Sequence, residues 1–320
     1  MEAVTYDRYG SFENLAVRDI AQPAIKDDEV LIRVRAASLQ IGDVFAVHGA
    51  PYMMRMMTGL FRPKLGAPGF DIAGTVEAVG KRVTQFRAGD DVFGGCRGGA
   101  CAQYARTRPD QLALKPTMLT FEEAAATTTS AVAALTALRK VANVQPGQRV
   151  LINGASGGIG TFAVQIAKAF GAHVTGVCST KNVELVRSLG ADEVIDYTQQ
   201  DFTQHQYDVI LDNVENRALA DVRRALAPRG TLVLNSGTGA QGFAMFARLV
   251  KPIIINPFVR QRLRRFVSAP NHDDLVSLIQ LVESGALKPV IDRTYRLAEV
   301  PAALAHIEGG HARGKVIVTI

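Results

Sequence analysis

A glycine-rich turn between a short apolar run and a helix-like segment constrains the fold of this chain most. The turn follows the apolar run 150–152 and precedes 162–170, whose apolar periodicity predicts a helix that ends at Gly171. Such a strand–turn–helix exposes backbone N–H groups at a helix N-terminus, where a dinucleotide pyrophosphate binds. We expect the pyrophosphate to lie on Gly154, Ala155, Ser156, Gly157, Gly158, Ile159 and Gly160.

The glycines of this turn have separate expected roles. Gly154 and Gly157 permit a tight turn and close approach of the backbone to phosphate, and Gly160 lets the helix pack against the strand. The alternative is a glycine-rich turn in another kind of βαβ unit. The flanking strand and helix, and a second predicted strand at 173–178, favour the dinucleotide site.

The residues after the second strand indicate which nicotinamide cofactor is used. Sites that prefer NAD carry an acidic residue about 20 positions after the glycines, yet no Asp or Glu occurs between Thr161 and Val183. Ser179, Thr180 and Lys181 instead offer hydroxyl donors and a positive charge, which suit a 2′-phosphate. We therefore predict NADPH, while a solvated loop lysine remains the alternative interpretation of Lys181.

The chain changes character near residue 120. Before it, short strands such as 30–36 and 69–80 with glycine turns predict a small barrel-like β domain. After it, a capping box at Thr120–Glu123 begins an alternation of strands and helices typical of a doubly wound α/β fold with a parallel sheet. Its predicted strands are 149–153, 173–178, 193–196, 208–212 and 231–235, and its helices lie near 158–170, 181–189 and 216–227.

The C-terminal strands near Ile291, Tyr295 and 315–320 are too many and too late to extend this sheet, so we expect them to return to the first domain. The predicted domains are thus 1–120 with 267–320, and 121–266.

Composition excludes several other classes of protein. We expect no secretory leader and no membrane span, because residues 1–9 lack an apolar run and no window approaches the ~20 apolar residues of a span. Three cysteines fit a reducing cytoplasm better than a disulfide framework. The net charge of +6 equals that of segment 241–266, which holds six basic residues and no acidic one. We favour a helix packed on the core for this apolar, basic segment over contact with a membrane surface, and no nucleic-acid module accompanies it.

Taken together, several motifs resemble the medium-chain dehydrogenase/reductase superfamily, in its zinc-independent quinone oxidoreductase branch, which includes ζ-crystallin-like and enone reductase-like enzymes. The resemblance covers nearly the whole chain and rests on the glycine turn and on residues 28–34, 36–38, 42–43, 69–74, 89–94 and 189–192. It implies a GroES-like β-rich barrel domain, a Rossmann domain, an active-site cleft between them, and a homodimer formed through edges of the Rossmann sheet.

The resemblance also assigns further cofactor positions. Tyr197 matches a position that flanks the adenosine phosphate, although a tyrosine after a strand also serves packing alone. Asn213 and Val214, and then Ser236 and Gly237, follow two strands and should pass under the cofactor. Glu215 replaces a glycine of this branch, so we expect a differently shaped loop. Ala133 replaces a threonine near the nicotinamide, which leaves Thr129 as a substitute contact.

The absence of zinc ligands decides the expected chemistry. Positions that hold zinc in zinc-dependent relatives match Gln40, Phe70 and Thr129, which do not make a catalytic zinc site. Without a Lewis acid, reduction of a quinone or an α,β-unsaturated carbonyl by NADPH is easier than interconversion of alcohol and ketone. Cys96 and Cys101 lack a second pair and are expected to be free thiols, with a redox pair as the alternative.

Two residues are candidates for contact with the substrate. Gln40 matches an asparagine that contacts substrate or ribose in relatives, and Tyr52 is the candidate proton donor. The methionine-rich segment 52–61 either lines a pocket for a lipophilic acceptor or packs on the core. Two other functions remain open: a zinc-free NADP-dependent alcohol dehydrogenase or carbonyl reductase, and a catalytically silent NADPH-binding sensor or scaffold.

Overall fold

The computed structural model describes all residues except 51, 53, 64–66 and 236–249. It also leaves out the side chains of residues 54 and 57. The chain divides into two compact units. Unit 1 comprises Met1–Val132, Ala269–Glu283 and Pro289–Ile320, and unit 2 comprises Ala133–Ser268 and Ser284–Lys288.

Unit 1 is built on a seven-stranded sheet. Its strands, with the separate β1–β2 ribbon, are β1 (Glu2–Thr5), β2 (Ala16–Asp19), β3 (Val30–Leu39), β4 (Asp71–Val79), β5 (Asp91–Gly95), β6 (Tyr104–Thr107), β7 (Leu112–Leu114), β14 (Ile291–Arg296) and β15 (Lys315–Thr319). The order along the sheet is β14-β15-β3-β4-β5-β7, with β6 also paired to β3. A Cβ at Gly74 would lie 2.2 Å from the Arg33 carbonyl oxygen, so β4 can approach β3 this closely only with glycine there.

The C-terminal strands return to the first unit, as the sequence predicts. β15 pairs antiparallel with β3 and parallel with β14, so the last strand of the chain lies second from one edge of the sheet. The helices of this unit are α1 (Ile41–His48), α2 (Met54–Thr58), α3 (Phe121–Ala126), α8 (His272–Glu283) and α9 (Val300–Glu308).

The first unit extends further than residue 120. The predicted capping box is present, since Glu123 N–H donates to Thr120 Oγ1 at 3.2 Å and Thr120 N–H donates to the Glu123 carboxylate at 3.0 Å. The helix that it begins, α3, packs against β3, β4 and β15 of unit 1. The division between units therefore falls after Val132, within α4 (Thr129–Leu135), rather than before Phe121.

Unit 2 is a doubly wound parallel sheet. Its strands are β8 (Arg149–Asn153), β9 (His173–Cys178), β10 (Glu193–Asp196), β11 (Tyr207–Asp212), β12 (Leu226–Leu234) and β13 (Arg262–Arg265). The order β10-β9-β8-β11-β12-β13 reverses direction at β8, and the five predicted strands are all present. Its helices include α5 (Gly160–Ala169), α6 (Val183–Ser188) and α7 (Leu219–Arg224). Ligands bind at the carboxyl ends of such strands, where the winding reverses.

The basic segment does not form the single packed helix that the sequence predicts. Residues 250–255 are helical, but Ile253 and Ile254 are 71% and 60% exposed. Residues Arg262–Arg265 form the strand β13, which pairs with β12, and Leu263 is the buried one of the four. Residues 241–249 lie outside the described part of the chain. No helix in the described part is long and apolar enough to span a membrane.

Candidate functional site

The predicted glycine turn connects β8 to α5 and is shaped by its own backbone. Gly154 has φ +79°, and a Cβ there would lie 2.8 Å from the Val214 side chain. A Cβ at Gly160 would lie 2.0 Å from the Gly154 carbonyl oxygen, so this glycine lets the helix begin against the turn itself. A Cβ at Gly157 meets only the Gly154 oxygen, at 3.4 Å. Gly154 and Gly160 are therefore required by the fold, while Gly157 keeps the outer face of the turn open.

This turn presents unpaired backbone donors. No acceptor within the described part of the chain reaches the N–H groups of Ser156, Gly158 or Ile159, and all three residues are partly exposed. They precede the first turn of a ten-residue helix, whose dipole adds a partial positive charge. Donors and field together fit the pyrophosphate of a dinucleotide, as the sequence predicts.

A hydrogen-bond network fixes the residues below the turn. Asp212, at the end of β11, accepts bonds from Asn153 Nδ2 at 2.8 Å and from the N–H groups of Val214 and Glu215 at 3.1 and 2.8 Å. Asn213 Nδ2 donates to the Asn153 carbonyl at 3.2 Å. The network places Asn213 and Val214 beside the glycine turn, and their contact with the cofactor stays a prediction. Ser236 and Gly237, the other predicted pair, lie outside the described residues.

Glu215 has a backbone conformation that is typical of glycine, and whether the loop differs in shape from that of relatives stays a prediction. It has φ +54°, the left-handed conformation that a glycine adopts freely. Its carboxylate is nearly buried and accepts two bonds from Arg265 of β13, at 2.9 and 2.5 Å. We infer that this two-point contact offsets the backbone strain, so the loop keeps a glycine-type conformation although the residue is glutamate.

The predicted 2′-phosphate loop contains an acidic neighbour that sequence reasoning missed. Asp196 ends β10, and β10 pairs with β9, so its carboxylate accepts a bond from Thr180 Oγ1 at 2.6 Å. Hydrogen bonds from Thr180 and Thr198 hold the pKa of Asp196 below its usual range. The Thr180 proton is thus already used, while Lys181 is exposed. Tyr197, 49% exposed, is bound through its N–H to the Cys178 carbonyl at the same edge.

Unit 1 contains a buried cluster of charges, which we define as Asp43, Asp71 and Lys315. All three side chains are at most 2% exposed, and Lys315 Nζ lies 3.8 Å from Asp71 Oδ2. Burial raises the pKa of Asp71 and lowers that of Lys315, and the attraction between the two groups opposes both shifts. Sequence reasoning missed the cluster because its members lie far apart in the chain.

This cluster holds two of the predicted site residues. Asp43 accepts bonds from the N–H groups of Gln40, at 2.8 Å, and of Gly69, at 2.9 Å. Asp71 Oδ1 accepts a bond from the Thr129 hydroxyl. Lys315 in turn donates to Ser130 Oγ at 2.9 Å. The backbone of Gln40 and the side chain of Thr129 are therefore fixed by buried acids.

The candidate proton donors differ in how firmly they are held. Tyr52 is 79% exposed, with Arg55 4.8 Å from its ring centre, so its role stays a prediction. His48, whose imidazole is the kind of group that often serves as a proton donor, is engaged at both ring nitrogens, by the Gly10 carbonyl and by Glu308 at 2.8 Å. That histidine joins α1 to α9 within unit 1.

Met54–Thr58 of the methionine-rich segment form the short helix α2, and Met56 and Phe61 are 79% and 87% exposed.

The cysteines do not have the environment of reactive thiols. Cys96 and Cys101 are buried and free. Burial raises the pKa of the Cys96 thiol to about 12 and raises that of Cys101 as well. Since the thiolate is the reactive form, both side chains serve packing at neutral pH.

The positions matched to zinc ligands do not fit zinc. Gln40 and Thr129 offer neutral oxygens, and Phe70 between them in the chain offers no ligand atom. Within residues 1–50, 67–235 and 250–320 and the other described positions, no three His, Cys, Asp or Glu side chains form a metal-binding group.

Comparison with known proteins assigns the two parts of the chain to known domains. Residues 26–136 match the alcohol dehydrogenase GroES-like domain, and residues 189–318 match the zinc-binding dehydrogenase model. The chain is 35% identical to the mouse mitochondrial NAD(P)H oxidoreductase RTN4IP1, in an alignment that covers all of this chain and 89% of the mouse protein. It is 31% identical to the chloroplastic NADPH-dependent alkenal/one oxidoreductase of Arabidopsis thaliana. That alignment covers 99% of this chain and 79% of the Arabidopsis protein.

A solved structure agrees with these matches. The quinone oxidoreductase from Coxiella burnetii superposes with a TM-score of 0.88 at 28% identity, covering all of this chain and 99% of that one. Both units of the present fold are thus found together in a relative.

Replacement of Asp43 should change the pH dependence of stability. Burial raises the pKa of Asp43 from 3.8 to about 7, against the effect of its two N–H donors. The folded state therefore holds this proton more tightly than the unfolded state, so the stabilisation is complete below pH 4 and is lost as the pH rises to about 7. In Asp43→Asn this decline, at most about 1.4 kcal/mol per pH unit, should disappear.

Urea unfolding at pH 5, 6, 7 and 8 measures this slope, and the exposed Asp110→Asn variant is the matched control. A lower stability of Asp43→Asn at every pH is compatible with the account, because its amide can accept only one of the two N–H bonds. Parallel pH profiles for wild type and Asp43→Asn would contradict it.

Proposed function

The chain belongs to the medium-chain dehydrogenase/reductase superfamily, in its zinc-independent quinone oxidoreductase branch, and from this we propose that it is an NADPH-dependent reductase of quinones and α,β-unsaturated carbonyls. The observation that carries the proposal is the glycine turn, in which three N–H groups have no acceptor among the residues that the structure describes. The names of the Arabidopsis and Coxiella relatives support the cofactor and the two substrate classes.

The residues of this chain bind and orient the reactants. Ser156, Gly158 and Ile159 donate backbone N–H bonds to the pyrophosphate, and Lys181 provides a positive charge for the 2′-phosphate. When bound, NADPH supplies the hydride. Because Phe70 stands where a metal ligand would be needed, the developing negative charge on the substrate oxygen is met by hydrogen-bond donors, for which Gln40 and Tyr52 are the candidates.

The same donor set disfavours reduction of simple ketones. A saturated carbonyl needs strong polarisation before it accepts hydride, and the chain offers no zinc ligands at the matching positions to supply it. A quinone or an enone is electron-poor already, so positioning and a proton suffice.

A homodimer through β13 and cytoplasmic localisation complete the proposal. Among the described residues β13 is the edge strand of the unit 2 sheet, and an edge strand offers unpaired backbone groups to a second chain. Nearby, Ile253 and Phe258 are 71% and 84% exposed, which a second copy would cover. We favour this partner over a membrane surface because it also satisfies the strand edge.

Turnover by metal-free enzyme tests the proposed reaction. After treatment with a chelator, the enzyme should oxidise NADPH with quinones and with enones or enals, and should leave saturated ketones unreduced. Cofactor oxidation is followed by absorbance across the four acceptor classes. Loss of activity on chelation with recovery on added zinc would contradict the proposal, as would tight NADPH binding without turnover of any acceptor.

Replacement of Lys181 tests the choice of cofactor. Lys181→Ala removes the positive charge beside the proposed 2′-phosphate, so KM for NADPH should rise roughly fivefold while KM for NADH stays unchanged. Steady-state kinetics with one quinone and both cofactors give the two values, and the exposed Lys81→Ala variant of unit 1 is the control. An equal rise for NADPH and NADH would show that Lys181 does not distinguish them.

A further inference from the structure

The side chain of Arg265 connects strand β13 to the loop below the glycine turn. Arg265 ends β13 and is in register with Leu234 of β12, which is in register with Asp212 of β11. Asp212 is in register with Asn153, the last residue of β8 and the neighbour of the turn. β12 therefore lies between Arg265 and the loop that follows Asp212, and the guanidinium reaches past β12 to Glu215 in that loop.

Two bonds from Arg265 meet a carboxylate that is nearly buried. Glu215 is 8% exposed, and its two carboxylate oxygens accept hydrogen bonds from the two terminal nitrogens of Arg265, at 2.9 and 2.5 Å. A paired contact of this kind fixes the orientation of the carboxylate as well as its distance. The backbone of Glu215 is left-handed, at φ +54°, which a residue with a side chain adopts at a cost in free energy. Loss of Arg265 would take two charge-assisted bonds from a residue whose backbone is already strained.

The same loop holds one wall of the glycine turn. The N–H groups of Val214 and Glu215 both donate to Asp212 Oδ1, at 3.1 and 2.8 Å. Val214 Cγ2 fills the space beside Gly154, 2.8 Å from where a Cβ would stand. If Glu215 turned its carboxylate out to water and left the left-handed region, both bonds to Asp212 would break. Val214 would then leave the turn without the contact that fixes its first glycine.

We propose that Arg265 is a positioning residue for dinucleotide binding. It holds Glu215 in the left-handed conformation, which keeps Val214 packed against Gly154 and so fixes the backbone donors of the glycine turn. Every contact in this series lies within unit 2. The inference rests on the proposed NADPH function and adds to it a residue that acts on the turn only through the loop after β11.

The dissociation constant of NADPH, measured by calorimetry, tests the proposal. Arg265→Met should raise this constant about tenfold, and adding Glu215→Gly should return it to within about threefold of wild type. Glycine carries no carboxylate and adopts the left-handed conformation freely, so the loop no longer needs the arginine. Arg264→Met is the matched control, because it removes the same charge from the exposed neighbouring residue of β13.

A second double variant separates the backbone from the charge. Arg265→Met with Glu215→Ala also removes the carboxylate, but alanine is strained in the left-handed region. This variant should therefore bind NADPH more weakly than Arg265→Met with Glu215→Gly. Equal affinities of the two double variants would contradict the role given to the backbone conformation.

Amide hydrogen exchange reports on the loop without any nucleotide. The N–H groups of Val214 and Glu215 are held by Asp212, so a peptide covering 212–216 should exchange slowly in wild type. Exchange of this peptide should be faster in Arg265→Met and slow again when Glu215→Gly is added. Unchanged exchange in Arg265→Met would overturn the inference.

The outcomes distinguish this inference from the proposed function. Wild-type protein that does not bind NADPH would overturn the proposed function, and with it the role of Arg265 in binding. If wild type binds NADPH, a lower melting temperature of Arg265→Met with an unchanged dissociation constant would show a merely structural contact, and the inference alone would be wrong. An affinity loss that Glu215→Gly does not restore would also contradict it. Should Arg265→Met fail to fold, Arg265→Lys, which cannot make the paired contact, carries the same comparison.

Discussion

Lys315 is the first residue of the last strand, β15, and its side chain is buried. The packing of β15 beside β3 depends on neutralisation of the lysine charge. A lone ammonium in this position would cost several kcal/mol. Asp71 Oδ2 on β4 lies 3.8 Å from Lys315 Nζ, and Ser130 Oγ on α4 accepts a hydrogen bond from that ammonium group. Asp71 also accepts a hydrogen bond from Thr129, while Asp43 accepts one from the Gln40 N–H. The placement of Gln40 and Thr129 in unit 1 thus depends on one buried cluster.

In unit 2 the corresponding constraint is the space around the backbone of one turn. The Gly160 position lies too close to the Gly154 carbonyl for any side chain, and Val214 fills the space beside Gly154. Asp212 fixes Val214 through the backbone and Asn153 through its amide. Three N–H groups of the turn have no acceptor among the described residues. A phosphate-binding surface therefore results from close packing below the turn, without any charged side chain in the turn itself.

The sequence predicts local features of this molecule well, because they depend on neighbours in the chain. Glycine spacing predicts the turn, apolar runs predict five strands of the parallel sheet, and Thr120 with Glu123 predicts the start of α3. The features that it missed depend on strand pairing. Asp196 reaches Thr180 only because β10 lies beside β9. Lys315 meets Asp71 only because β15 and β4 both pair with β3. Arg262–Arg265 form a strand through parallel pairing with β12, which lies about thirty residues earlier in the chain.

In the proposed reaction, hydride passes directly to an electron-poor carbon without a metal. Chelator-treated enzyme with an enone and NADPH deuterated at both C4 positions tests it, with mass spectrometry and NMR of the saturated ketone as the measurement. Direct hydride transfer should place one deuterium at the carbon β to the carbonyl and a proton from solvent at the α carbon. Saturated product without deuterium at the β carbon, or deuterium on the carbinol carbon of an allylic alcohol, would contradict it.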